Sequence, residues 1–201
     1  MRKLIAAALL AGAALAAPAN AATILNGSFE AGLGINPFGW TVTSIGGRTG
    51  SMAVFPEGYI ATFPAADTGV NALRIRSSAD NTWVLTQTVA TNVGQSYILR
   101  YSMLNQNANA FDSVTVTTGN VTTVFGDRAP FEWTAFTQAF TAVSTSTVIQ
   151  FAIRHTGGNS QNFMYLDSVA LSVPEPGTWG MMMAGFGLVG FAARRRKAIA
   201  A

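Results

Sequence analysis

The chain has no cysteine and a single histidine, His155. Disulfides, thiolate metal sites and cysteine nucleophiles are therefore excluded, and so is any metal site built from several histidines. Charge is scarce as well: 10% of the residues are Asp, Glu, Lys or Arg, against 49% that are hydrophobic. That balance is too apolar for a disordered protein. Between residues 22 and 173 there is no lysine, and six arginines stand against eight acids for a net charge of −2. The overall net charge of +3 thus comes from the two ends. The central region has no basic patch to offer, and no nucleic-acid partner is expected.

What is present at the two ends reads as addresses. Arg2 and Lys3 precede an apolar run over residues 4–17, and Ala19-Asn20-Ala21 is a small-x-small cleavage site. This is the layout of a secretory signal over residues 1–21, cut by signal peptidase between Ala21 and Ala22. The run is shorter than the ~20 residues a spanning helix needs. At the other end, residues 177–193 carry no charge and are followed by Arg194, Arg195, Arg196 and Lys197. At ~1.5 Å per residue this stretch spans about 25 Å as a helix, enough for a short transmembrane segment. The basic block over 194–197 should stay cytoplasmic, which places everything upstream across the membrane.

The ending Pro174-Glu175-Pro176-Gly177-Thr178-Trp179, then the apolar stretch, then the arginine run, resembles the PEP-CTERM sorting signal of Gram-negative bacteria. It matches the variant with Trp three residues after the second proline, with Gly180 where that variant usually has Ala. The resemblance implies recognition and cleavage by an exosortase, a membrane-embedded transpeptidase. It assigns the sorting role to Pro174, Glu175, Pro176, Trp179, Arg194, Arg195 and Arg196, within a signal over residues 173–201. The implied route is an inner-membrane anchor in transit, then the cell surface or the extracellular space. The two prolines forbid regular helix and hold an extended segment outside the bilayer.

Residues 22–172 have the length of one domain. Their periodicity is two: Tyr97, Leu99, Tyr101 and Met103 alternate with Ser96, Ile98, Arg100 and Ser102, and Ile149, Phe151 and Ile153 with Gln150, Ala152 and Arg154. Further strands are predicted at 24–30, 40–45, 59–63, 72–77, 83–90, 113–118, 121–125, 133–141 and 163–173. Short strands broken by Gly, Asn, Asp and Pro predict an all-β sandwich of two sheets. Asn26-Gly27-Ser28-Phe29-Glu30 with Gly39-Trp40 resembles the opening of galactose-binding-like jelly rolls, a group that includes carbohydrate-binding modules. The run Gln87-Thr88-Val89, Gly94, Tyr97-Ile98-Leu99 and the closing Tyr165-Leu166-Asp167-Ser168-Val169 fit the same pattern.

Alternation places Asp167 on one face with Phe163, Tyr165, Val169 and Leu171, which reads as the core face. A buried carboxylate needs a partner. The resemblance implies a structural calcium held by Glu30 and Asp167; the alternative is a carboxylate satisfied by Arg or by backbone N–H groups. No G-x-S-x-G elbow, H-E-x-x-H helix or phosphate loop is present. His155 reads as a surface residue at a strand end. No catalytic residue is assigned, and any two of the acids would serve a glycosidase equally well.

Glycan platforms are easier to find, because sugars stack on aromatic faces. Trp40 and Trp133 read as core, which leaves Trp83 and Tyr59 as platforms. Thr-x-Thr pairs at 41–43, 86–88, 115–117 and 145–147 resemble those of ice-binding surfaces but recur at no fixed interval, as ordinary exposed strand threonines would. The expectation is an exported, non-catalytic jelly roll that contributes adhesion or matrix structure in a biofilm through exopolysaccharide contacts. The alternatives are a polysaccharide-modifying enzyme of the glycoside hydrolase type and an ice-binding or adhesion protein.

Overall fold

The computed structural model describes residues 22–46, 50–59, 64–77, 80–106, 113–126, 130–155, 162–174 and 185–189. Among the described residues, ten strands form two five-stranded antiparallel sheets. The first sheet contains β1 (Thr41–Gly46), β4 (Asn81–Ala90), β9 (Ser146–His155), β6 (Ser113–Thr118) and β7 (Val121–Gly126), in that spatial order. The second contains β2 (Gly50–Pro56), β3 (Asn71–Ser77), β10 (Asn162–Ser172), β5 (Ser96–Asn105) and β8 (Phe131–Thr141). The expected all-β jelly-roll sandwich is the observed fold.

Period-two patterning drives the layering. Leu85, Val116, Ile149 and Phe151 of the first sheet meet Leu73, Ile75, Tyr97 and Leu99 of the second, all without measurable exposure. Each such side chain contributes roughly 1.5–3 kcal/mol by leaving water. Tyr101 presents its ring edge-on to Phe151, with centroids 5.2 Å apart, a favoured aromatic geometry. Local chemistry sets the turns: β6 and β7 are joined by Gly119-Asn120, with Gly119 at φ +57°, the residue a two-residue hairpin of this hand requires first.

Two stretches depart from the sequence-based strands. Residues 24–30 form turns, because Asn26 and Phe29 adopt left-handed φ values of 52° and 56°. The Asn26 side chain stabilises this by donating to the Phe38 carbonyl and accepting from the Ala31 N–H. The segment still packs as predicted for the domain opening, with Phe29 fully buried against Trp40. Gln87, buried in β4, bonds the Leu25 N–H and the Leu25 and Gly39 carbonyls and so supplies the ladder that the turns lack. The second departure is β2, which the sequence reading missed in favour of 59–63. Tyr59 lies in the bend after β2, and 60–63 lie outside the described residues. Met52-Ala53-Val54 shows no alternation because all three are buried.

The signal segment 1–21 with Ala21, and Glu175, Pro176, Trp179 and Arg194–Arg196, lie outside the described residues. Ala22 is buried against the core, and Pro174 is exposed beyond β10. Of the predicted span 177–193, residues 185–189 are helical, with Phe186, Leu188 and Val189 exposed. Among the described residues no helix is long and apolar enough to cross a membrane.

Candidate functional site

The outward face of the second sheet carries a second apolar layer. In β3, Leu73 and Ile75 point to the core, so Arg74 and Arg76 point out; in β10, Met164 and Leu166 point in, so Phe163 and Tyr165 point out. The register sets Tyr165 between Arg74 and Leu104, and Phe163 opposite Arg76. Tyr165 and Leu104 are buried there beneath Phe55, Trp133 and Phe163.

The geometry of this layer is specific. The Trp133 and Tyr165 rings meet edge-on at 6.5 Å, and Phe55 packs on Tyr59 at 4.7 Å. The Arg74 guanidinium lies 4.0 Å from the centre of Phe55 and 5.3 Å from that of Phe163, in cation–π range of both. Trp133 Nε1 donates to the Ala65 carbonyl at 2.8 Å, and the Tyr165 hydroxyl donates to Gln106 Oε1 at 3.1 Å. Burial pushes the Tyr165 phenol up to about 12, with the Arg74 charge opposing, so it stays a neutral donor. Tyr59 is 58% exposed, an aromatic surface open to a ligand. A recess of about 320 Å³ lined by Pro64, Gln106, Pro130 and Glu132 adjoins Leu104. The sequence reading named Tyr59 but placed Trp133 in the core; Trp133 stands half-buried on this outer face instead.

Asp167 is fully buried but not on the inter-sheet face. Its alternation groups it with Phe163 and Tyr165, and these face outward; a bulge then shifts the register between Asp167 and Ala170, with Ser168 at φ 54°, and returns Val169 and Leu171 to the core. The single face expected for all five residues is therefore two faces. Asp167 accepts from the Thr68 N–H at 3.0 Å and the Ser168 N–H at 2.6 Å, and the Ser168 hydroxyl donates to Asp67 at 2.6 Å. Glu30 accepts from the N–H groups of Val70 and Asn71 at 2.9 Å and from the Asn71 amide at 2.8 Å. Both carboxylates thus clasp one loop, residues 67–71. Gly69 permits this, since its φ is +68° and a Cβ there would overlap the Glu30 carboxylate. Burial pushes Asp167 up to about 6, the Asp67 charge adding to it, while the N–H groups of Thr68 and Ser168 pull it down. Backbone donors, rather than Arg, meet this carboxylate. Among the described residues no group of three or more Asp, Glu or His is arranged to hold a metal.

Trp83 occupies the core side of β4 and is partly buried, because its register partner Ser44 and the parity of Leu85 turn it inward. It lines a cleft of about 570 Å³ at the sandwich edge with Ile35, Val42 and Met52, away from the aromatic layer. His155 is buried at the end of β9, in contrast to the exposed position expected. Of the amide-rich loops, 107–109 and 159–161 lie outside the described residues.

Residues 172–197 match the model of the PEP-CTERM protein-sorting motif. No curated protein matches the chain. Similar solved structures include TmCBM61 in complex with beta-1,4-galactotriose, at 16% identity and TM-score 0.57 over 76% of this chain and 99% of that one. The K2 cleaved adhesin domain of Lys-gingipain aligns at 14% identity and TM-score 0.53, over 73% of this chain and 96% of that one. The enzymatically active domain of tailspike protein 4 from bacteriophage CBA120 aligns at 10% identity and TM-score 0.57, over 76% of this chain but 21% of its own length. The chain is a jelly-roll sandwich resembling those of carbohydrate-binding modules, ending in a PEP-CTERM sorting motif at residues 172–197.

Proposed function

We propose that the protein is exported, sorted by an exosortase through its tail, and retained as a non-catalytic component of the cell surface or extracellular matrix that binds glycans. The observation that carries the binding reading is the outward layer of Tyr59, Phe55, Phe163, Tyr165 and Trp133 on one sheet. The exposed ring of Tyr59 and the half-buried rings of Phe55, Phe163 and Trp133, beside Gln106 and Arg74, are what a sugar ring needs: an apolar surface with hydrogen-bonding groups at its margin. The enzymatic alternative needs two free carboxylates facing an open groove. Of the acids in the domain, Asp167 is wholly buried and Glu30 is held by three N–H bonds, so these two do not form such a pair.

A glycan array probed with the full-length protein tests the binding reading, with Trp133→Ala as the comparison. Retention of defined polysaccharides that falls in the variant supports it; no retention of any glycan ends it. The sorting reading is tested by replacing Pro174-Glu175-Pro176 with alanines. Membrane retention of the variant is expected, and normal processing would refute the assigned role.

A structural calcium shared by Glu30 and Asp167 is a separate proposal. It is supported by the convergence of the two carboxylates on one loop, residues 67–71. Calcium takes oxygen ligands of this kind. Superimposable melting curves in calcium and in chelator would remove it.

A further inference from the structure

Arg74 is the one residue on the aromatic face whose chemistry is incomplete. The residue is 9% exposed, its Nε is buried with no acceptor among the described residues, and its guanidinium lies over the rings of Phe55 and Phe163. No carboxylate among the described residues meets it. Burial lowers its pKa, and the neighbouring Arg76 lowers it further, yet an arginine stays protonated at neutral pH. A buried cation without a counter-charge is costly, and a planar guanidinium gripped between two rings is already oriented for a fork-shaped acceptor. Arg76 and Arg100 also point outward from β3 and β5, with Glu132 set to one side in the recess beside Leu104, whereas the region over residues 22–173 as a whole has a net charge of −2. The one acid with outward parity in β10, Asp167, is turned to the Thr68 and Ser168 N–H groups.

We propose that this face selects acidic glycans, with the carboxylate of a uronate residue pairing with Arg74 while the sugar stacks against the adjoining aromatic rings. The proposal rests on the glycan-binding reading above and narrows it to a substrate class. An anionic group could also be a sulfate ester, and the guanidinium would donate to either; the flat carboxylate, which takes two parallel N–H bonds from one fork, is the better match.

The test measures binding of the full-length protein, in detergent micelles, to polygalacturonate, to its methyl-esterified form, to dextran sulfate and to neutral β-1,4-galactan. Polygalacturonate should bind at least tenfold more tightly than its methyl ester, and more tightly than dextran sulfate. Arg74→Met should abolish that preference, so that the acid and its methyl ester bind with equal affinity. Because methionine removes a buried unpaired charge yet still fills the space between the rings, this variant should melt no lower than the native protein. Arg74→Lys, which keeps the charge without the fork, should lose most of the preference while remaining sensitive to salt. Equal binding of acid and ester overturns the acidic specificity. A preference that survives in Arg74→Met overturns the role of Arg74, and dextran sulfate binding best overturns the carboxylate. If no polymer binds at all, the glycan reading itself falls.

Discussion

The two outer faces of the sandwich are built from the same kind of strand and end up different in kind. The first sheet shows water a polar weave. Thr43, Val84, Ala152, Thr115 and Val124 lie in one row across β1, β4, β9, β6 and β7, and Thr41, Thr86, Gln150, Thr117 and Thr122 in the next. No aromatic ring stands in either row. On the second sheet the residues that should be solvated are covered: Ala53, Arg74, Ser102, Leu104 and Tyr165 are all buried although their parity points outward. An antiparallel sheet normally alternates buried and exposed positions, so continuous burial marks an added layer. In β5 the alternation stops at Tyr101, and the next four residues are all buried. The face proposed to bind glycans is the one that breaks the rule of its own secondary structure.

The strongest way to break this comparison is to remove the added layer. Tyr165→Ala deletes a side chain that is 1% exposed and supports Trp133, and should cost about 3–5 kcal/mol in denaturant unfolding. Thr86→Ala, at the middle of the other face, should cost under about 1 kcal/mol. Equal costs would mean that the second sheet has no extra layer.

The next largest effect is a response to pH that only the second sheet carries. Asp167 is raised from 3.8 to about 6 in the folded protein, so the folded state holds its proton more tightly than the unfolded chain does. Its contribution is fully present below pH 4 and is lost as pH rises from about 4 to 6, by no more than about 3 kcal/mol. In chelator, the native protein should therefore melt higher at pH 4.5 than at pH 7.5 by more than Asp167→Asn does. A pH response unchanged in that variant would assign the shift elsewhere.

Most strands of both sheets were legible beforehand, with β3, β8 and β10 of the second sheet predicted to within two residues of their observed bounds. Strands of the solvated sheet were readable because one side faces water: β6 was predicted at its observed bounds, and β4 and β7 to within two residues. In the second sheet β2 was lost, since Met52-Ala53-Val54 is apolar on both sides and has no period to detect. Asp167 was recognised as buried, but its face was misassigned because a bulge one residue later reverses parity, and no residue type announces a non-glycine at positive φ. Trp83 and Trp133 exchanged roles for a related reason. Both sit in alternating strands, and only the register across neighbouring strands tells inside from outside. Tyr59 was named among the aromatic platforms but as the first residue of a strand over 59–63; it lies instead in the bend after β2. Arg74 went unnoticed, since nothing local shows that two rings distant in sequence will enclose it.

Smaller again is the effect of Tyr59→Ala. The ring is mostly exposed and packs only on Phe55, so stability should change by less than about 1 kcal/mol. Glycan affinity should nonetheless fall by about tenfold, because a stacked aromatic face contributes on the order of 1 kcal/mol beyond its area. A loss of stability without a loss of binding would make Tyr59 a structural lid.

The smallest effect sharpens the comparison from the opposite side. Thr43, Thr86 and Thr115 can be changed together to valine, which keeps the β-branched shape and the strand preference while removing three hydroxyls from the first sheet's outer face. Each hydroxyl faces water in the native protein, so little hydrogen-bond energy is lost and unfolding should shift by less than about 0.5 kcal/mol per site. Glycan binding should not change within error, since these strands contribute nothing to the Tyr59–Arg74–Trp133 layer on the far side of a core as thick as two packed sheets, about 10 Å. The same triple variant separates the ice-binding alternative from the glycan reading. If threonine hydroxyls on a flat face organised water for ice, their loss would abolish thermal hysteresis while polysaccharide binding survived. The rows of the first sheet mix Val, Ala and Gln among the threonines, so no regular hydroxyl lattice exists for ice to match. The expected result is no thermal hysteresis in either protein and equal glycan affinity in both.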